Sequence, residues 1–297
     1  MLVRATSNRR WLQEHCYEFS IADVRSEDEL SEACRGCDAV LHAAGITNAR
    51  RDEEYFAVNV EGTAGLWRAA GRVGVRRFLL VSSQAAGGPS RGAAPRDESS
   101  SPQPVSAYGR SKLGGERVIL EDLGGSGPEA VVVRPPAVYG PRDADVLTLV
   151  RAARRGLFPM TLGGRQEVSM IFVSDLVEGM RLALEKAPRG GLYYLTDGEI
   201  HTLPEVAAVM GRILGRRVRP LPVPRFVLTL AALGGEVWNR LRPTPAALNL
   251  DRARQFGTGE WTASDRRARQ ELGYRSEYDL ERGMRETIEW YRRIGWI

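Results

Sequence analysis

Lysine is almost missing from this chain of 297 residues, which carries 40 arginines but only two lysines, Lys112 and Lys186. Where guanidinium has taken nearly every basic position, a retained ammonium suggests a task that needs a compact, titratable cation rather than a broad fixed one. Cysteine is scarce as well. Cys16, Cys34 and Cys37 are odd in number, and with no signal peptide in view they point to a reducing, cytoplasmic setting. Cys34-Arg-Gly-Cys37 has CxxC spacing, but no second pair or histidine cluster completes a zinc site, so no metal is expected. Long apolar runs are also lacking. The most apolar stretch, Phe226–Trp238, contains Gly234, Gly235 and Glu236 and is too short to span a bilayer. The net charge of +5 comes from arginines interleaved with 37 acidic residues. No basic tract with interleaved aromatics stands out, so nucleic acid is not expected as a partner.

What is present is alternation. Ala39-Val-Leu-His-Ala43, Phe78–Val81 and Ala130–Val133 are short apolar runs suited to central parallel strands buried on both faces. Helical segments are expected between them, at Asp28–Cys34, Asp52–Val73 and Ala107–Leu123. That order predicts an α/β fold, a Rossmann-like doubly wound parallel sheet. Tyr17, Phe19 and Ile21 alternate as an edge strand would. We expect residues 1–140 to form a dinucleotide-binding domain whose sheet is completed by parts of 168–196. Residues 141–297 are expected to form a smaller, interleaved substrate-binding lobe, with a strand at Val168–Val173, a helix at Asp175–Lys186 and a Pro-rich stretch at Arg219–Pro224. The Gly-, Pro- and Ser-rich segment 87–104 is too long for an ordinary connection and is a candidate active-site loop.

Tyr108-Gly-Arg-Ser-Lys112 puts a phenol and an ammonium one helical turn apart, on one face. A phenol titrates near 10, and a neighbouring ammonium with a helix N-terminus is expected to favour the phenolate and lower that value. Upstream, Ser82-Ser83 closes the strand at Val81. A Ser, a Tyr and a Lys brought together make a proton-transfer site beside a carbonyl or carbinol.

Five segments in order then resemble the extended short-chain dehydrogenase/reductase family over essentially the whole chain. Asp23-Val24 resembles the acid-containing turn that binds the adenine amino group. His42-Ala43-Ala44-Gly45 resembles the loop lying along the cofactor, and Asn59-Val-Glu-Gly-Thr63 resembles the family's Asn-Val-x-Gly-Thr helix. The Ser and Tyr-x-x-x-Lys motifs fall between these and Arg134-Pro135-Pro-Ala-Val138-Tyr139-Gly-Pro141, which resembles the segment beneath the nicotinamide. The resemblance implies Ser83 on the substrate oxygen, Tyr108 as acid/base and Lys112 on the ribose. It adds Asn59 to the catalytic set, Ser82 to the cofactor contacts, and Gln84 and Tyr139 to the substrate contacts. Other readings stay open: Asn59 as a helix interruption, Asp23 as an N-cap, His42 as strand-end packing, and Ser174-Asp175 as a helix cap.

The family opens with a strand and a Gly-x-x-Gly-x-x-Gly turn that holds the pyrophosphate, and nothing of that kind precedes Val3. Leu2–Ser7 resembles the second strand of the family and its turn. The expectation is that roughly 25–30 residues of a strand–turn–helix unit are missing through a late start codon. The chain as written would then bind dinucleotide very weakly, and its sheet would gape or re-pair. Arg4 stands where a cation would meet the 2′-phosphate, so NADP is preferred over NAD. Val168 and Ser169 replace the Arg-Asp pair usual in nucleotide-sugar epimerases, whereas Phe226–Trp238, Trp261 and Leu272-Gly-Tyr274 look more like the 3β-hydroxysteroid-dehydrogenase-like branch. An apolar alcohol or ketone is therefore the expected small-molecule substrate. A nucleotide-sugar epimerase/dehydratase and a non-catalytic binding protein on the same fold remain alternatives. The family also implies a homodimer through stripes at Tyr55, Val58, Gly62 and Leu66 and at Leu113, Val118 and Leu120.

Overall fold

A parallel pair opens the chain, β1 (Leu2–Val3) with β2 (Ser20–Ile21). The structure is a computed structural model. It describes all residues except 6, 13–16, 24–25, 91–93, 123–126, 161–163, 165, 243 and 247 and the side chain of 256. Helix α1 (Glu27–Cys34) follows, with three acids in its first turn where the helix dipole favours them. Its N-cap position is Ser26, not Asp23. Strand β3 (Ala39–His42) then leads to α2 (Asp52–Phe56), a π-helical turn at Ala57–Glu61, and α3 (Gly62–Arg72). The single helix expected over 52–73 is thus interrupted at Asn59, whose side chain is committed elsewhere.

Strand β4 (Arg77–Val81), the short helix α4 (Gln84–Gly87), α5 (Ala107–Leu120), β5 (Glu129–Arg134) and β6 (Ala137–Tyr139) complete the first part. After α6 (Ala144–Arg154) the chain runs through β7 (Leu157–Met160), β8 (Glu167–Val168) and β9 (Met170–Phe172). Helix α7 (Val173–Lys186) then returns the chain to β10 (Gly191–Tyr194). The main sheet has the order β10-β5-β4-β3, all parallel. One edge of it is β10, paired with β5, and Phe78–Leu80 and Ala130–Val133 are buried on both faces. At the other edge β3 leaves Leu41 exposed, and β1 pairs with β2 rather than with this sheet.

The remainder comprises β11 (His201–Thr202), α8 (Leu203–Leu214), β12 (Arg219–Pro222), α9 (Arg225–Leu241), α10 (Leu250–Phe256), α11 (Arg266–Leu272) and α12 (Leu280–Arg293). A capping box of Thr202 and Glu205 starts α8. The Pro-rich stretch is a strand, not irregular chain: β12 pairs in parallel with β7. Pro220 and Pro222 alternate with residues that can donate, and Arg219 N–H to Gly156 O (2.9 Å) and Val223 N–H to Met160 O (2.8 Å) bracket the ladder.

Three expectations change here. The dimer stripe is weaker than its sequence pattern suggests, because Tyr55, Gly62 and Leu66 are buried within the chain itself. Tyr139 is fully buried beneath α12, edge-on to Phe172 at 5.6 Å between ring centroids, and belongs to the core, not to a substrate surface. Asp175 does not cap α7. It lies inside the helix, and its buried carboxylate accepts from Ser276 Oγ (2.6 Å), Glu277 N (3.1 Å) and Tyr278 N (3.1 Å). Three donors in the segment before α12 therefore converge on one acceptor. Asp175→Ala should cost about 3 kcal/mol in urea unfolding by orphaning them; a loss within the range of a surface substitution would show that the clamp is unimportant.

His42, at the end of β3, is buried with its Nε2 3.0 Å from Thr63 Oγ1 and its ring against Phe78. These contacts pack the ring at the strand end. Burial, helped by the Lys112 charge, lowers its pKa from 6.5 to about 4. Between those values the unfolded chain binds a proton that the folded chain does not, so stability is full above pH 6.5 and falls as pH drops towards 4. The loss from this group should be about 3 kcal/mol. His42→Gln should flatten the unfolding free energy between pH 7 and 4 by a similar amount, and an unchanged pH profile would contradict the assignment.

Candidate active site

Two polar strand and helix ends meet beyond the carboxyl edge of β4. Ser83 caps α4, its Oγ accepting from Ala85 N at 3.2 Å, while Gln84 N donates to Pro135 O at 2.8 Å. The chain then turns sharply at Gly88 (φ +89°), where an added Cβ would lie 2.1 Å from Gln103 O. From there it returns to α5. The connecting segment is pinned to the C-terminal part of the chain by Ser90 N to Glu260 O (2.8 Å) and Arg96 N to Thr262 O (3.0 Å).

Helix α5 starts under two caps. Ser106 Oγ accepts from Gly109 N at 3.0 Å, and the buried carboxylate of Asp251 accepts from Ala107 N and, at 3.2 Å, from Tyr108 N. Tyr108 is thereby fixed at the first turn, with its hydroxyl close enough to Ser83 for that side chain to favour the phenolate. Burial pushes that hydroxyl's pKa up, against the lowering effects of the Ser83 side chain and the Arg252 charge. The expected depression by Lys112 is absent, because the ammonium is directed elsewhere: Lys112 Nζ donates to Val81 O at 2.7 Å. Lys112 is itself buried, and desolvation brings its pKa down to about 8 against the opposing charge of Glu116.

One turn further along, Glu116 forms a buried ion pair with Arg134 of β5, Nε to Oε1 at 2.9 Å and Nη2 to Oε2 at 2.6 Å. Ser82 donates its hydroxyl to Glu116 as well, so it is held inside this cluster instead of facing a cofactor. Asn59 accepts from Ile46 N (2.9 Å) and donates to Ile46 O (3.0 Å) and Ser111 Oγ (3.0 Å). It ties the loop after β3 to α5, and the π-helical turn at Ala57–Glu61 carries the side chain that does so.

The remaining expected cofactor contacts are dispersed. Ala43, Ala44 and Gly45 are exposed beyond β3, and a Cβ on Gly45 would sit 2.9 Å from Asn59 Oδ1 and 3.7 Å from Lys112 Nζ. Arg4 is exposed at the end of β1, and Asp23 N donates to Glu29 Oε2. Val24 lies outside the described residues. A dinucleotide's ribose and nicotinamide fit the part of the site around Lys112. Its ammonium meets one acceptor in a buried setting and has further N–H groups for hydroxyls, while the bare backbone of Gly45 allows close approach.

Beside Ser83 opens a cavity of about 460 Å³. Its lining includes Ser83, Gln84 and Val138 together with Val146, Phe158, Met170, Val206, Val223, Leu228 and Trp261. Val138, expected against the cofactor, lines this cavity. The lining is mostly apolar and contains no Lys or Arg among the described residues. Gln84 Nε2 is buried there without a partner, a donor open to a substrate oxygen. Sequence reasoning missed Glu116, Asp251 and Arg252. Glu116 had a signal, four residues after Lys112 on the same helix face; Asp251, 143 positions from Tyr108, had none.

These features match known proteins over the whole chain. The sequence model of the NAD dependent epimerase/dehydratase family matches residues 1–195. The chain is 31% identical to a ceramide reductase of Caulobacter vibrioides, over 100% of this chain and 87% of that protein. It is 32% identical to a 4-hydroxy-2-methyl-3-oxo-4-farnesyl-3,4-dihydroquinoline-1-oxide ketoreductase of Stigmatella aurantiaca, over 95% and 86%. MoeE5, solved in complex with UDP-glucuronic acid and NAD, superposes with a TM-score of 0.74 at 25% identity, over 93% of this chain and 86% of that one. The chain belongs to the NAD dependent epimerase/dehydratase family, within the extended short-chain dehydrogenases/reductases, and is an NAD(P)-dependent oxidoreductase.

Proposed function

We propose that the protein reduces the ketone of an apolar substrate to an alcohol. The observation that carries this reading is the apolar cavity that begins at Ser83 and offers no cation among its described lining residues. A nucleotide sugar brings a diphosphate that calls for such cations, so the epimerase alternative is disfavoured. The names of the ceramide reductase and the farnesylated-quinoline ketoreductase, each a reductase of a lipid-like molecule, support the same reading. Arg4 supports NADP as the preferred cofactor, through a guanidinium at the end of β1 that suits a 2′-phosphate.

The nicotinamide supplies the hydride when bound. Ser83 and Gln84 Nε2 orient the carbonyl oxygen by donating hydrogen bonds. Tyr108 gives its proton to that oxygen as negative charge develops there. A phenol held protonated by burial is in the correct state for this direction, since reduction needs a proton donor. Lys112 holds the ribose, Arg252 supplies the charge that favours the phenolate left behind, and Asn59 positions the loop against which the cofactor lies. In this reading the homodimer forms through the half-buried Val58, Leu113, Val118 and Leu120.

Tyr108→Phe keeps packing but removes the transferable proton. NADPH oxidation with a long-chain ketone should fall by about 10²–10⁴, with Tm nearly unchanged. Near-normal turnover in that variant would remove Tyr108 from the reaction. Light scattering at micromolar concentration checks assembly: a mass twice the chain's 32.8 kDa is expected, and a monomer would rule the dimer out.

A further inference from the structure

We propose that α9, which also walls the apolar cavity through Leu228, is a docking surface for an anionic lipid bilayer and lies flat on it. This rests on the reading of that cavity as the site of an apolar substrate. Helix α9 is two-faced. Ala232, Gly235 and Asn239 are buried, and Leu228 of the same stripe lines the cavity. The opposite stripe, Phe226, Leu230, Leu233, Val237 and Leu241, repeats at four, three, four and four residues and is exposed, Leu241 at 76% and Phe226 at 67%. Trp238 stands beside it, half exposed, with its indole N–H donating to Thr244 O at 3.2 Å. Five large side chains in one outward row exceed the scattered apolar residues of an ordinary surface.

Charge identifies the occupant. Residues 216–242 hold six arginines (Arg216, Arg217, Arg219, Arg225, Arg240 and Arg242) and one acid, Glu236. That segment accounts for the chain's whole net charge of +5, since basic and acidic residues balance elsewhere. All six arginines are exposed, while the single acid is turned to the chain, its Oε1 accepting from Leu250 N at 3.1 Å. The row has Arg240 and Arg242 exposed at its C-terminal end and Arg225, which donates to Gly257 O at 2.6 Å, at its start; an apolar row with arginines at its ends complements anionic headgroups over an acyl layer. A second copy of the chain would set these arginines against one another. No helix among the described residues is long and apolar enough to cross a membrane, so the contact would be interfacial. Because Leu228 walls the cavity from the inner stripe of the same helix, a bilayer on the outer stripe would lie one helix diameter, ~10 Å, from the site.

Flotation of the full chain with phosphatidylcholine vesicles, with and without phosphatidylglycerol, tests this. The protein should float with the anionic vesicles, and binding should weaken as salt rises. Leu230→Asp/Leu241→Asp should lower binding at least about tenfold, while leaving the thermal melt unchanged because neither side chain is buried. Arg240→Gln/Arg242→Gln should weaken binding and reduce its salt dependence. Protein that stays unbound with anionic vesicles overturns the proposal, as does a Leu variant that floats like the parent. A dimer dissolved by the Leu variant, with no vesicle binding by the parent, would assign the face to a second copy and overturn it too. Flotation reads no turnover, and reduction of a short water-soluble ketone reads turnover without a membrane, so either reading can fail alone.

Discussion

The Arg134 guanidinium is buried beneath the active site, and much of the local geometry follows from satisfying it. A buried cation is tolerated only with close, well-oriented partners, and removing a partner leaves an uncompensated charge. Glu116 meets it in a bidentate contact, and Tyr194 OH accepts from Nη1 at 3.0 Å. These contacts bind helix α5 to β5 and β10, and Ser82 joins the same carboxylate from the end of β4. One ion pair thus fixes α5 relative to three adjacent strands. Ser83 follows Ser82 and Lys112 lies one turn from Glu116, so the relative positions of Ser83, Tyr108 and Lys112 are set from below.

Above that cluster the electrostatics run in the opposite direction from a simple ammonium–phenol pair. Lys112 is drawn towards Val81 O, and burial weakens its own charge while also raising the Tyr108 pKa. Desolvation is the first cause at both residues, and it acts against the charged forms of each. A site in this condition holds a proton on the tyrosine and an ammonium with hydrogen-bond capacity left over. Polar ligand atoms arriving beside Lys112 would relieve its desolvation, so that cofactor binding and the charge state of the site are coupled.

The local part of this arrangement was legible in the sequence. Tyr108 and Lys112 share a face because α5 is a helix, and the apolar runs at 78–81 and 130–133 could hardly be other than central strands. What could not be read depends on pairings across long stretches of chain. Asp251 reaches the first turn of α5 from 143 positions away, and Asp175 clamps a segment just over 100 positions on. Both look like ordinary helix-start acids in sequence, since a capping carboxylate carries no mark of which helix it caps. Tyr139 sits in a segment that resembles a cofactor-facing one, yet the aromatic packing beneath α12 claims its ring. The π-helical turn at Asn59 was equally hidden, because it arises from a tertiary demand on that side chain rather than from weak helix propensity.

Helix α9 shows the same limit from the other side. Its composition identifies an apolar stretch too short to cross a membrane, but periodicity alone does not say which of two stripes faces the protein. The structure decides through small residues. An added Cβ at Gly235 would lie 1.9 Å from Leu248 O, so the helix approaches that backbone closely there, with Ala232 one turn before it also fully covered. Close approach at small residues commits the inner stripe, and the larger side chains are left outside by exclusion. The bulk that would ordinarily fill a core is therefore on the surface because the backbone is too near its neighbour to admit it. The same constraint places Leu228 at the cavity wall, so substrate space and outer apolar face are two results of one close helix contact.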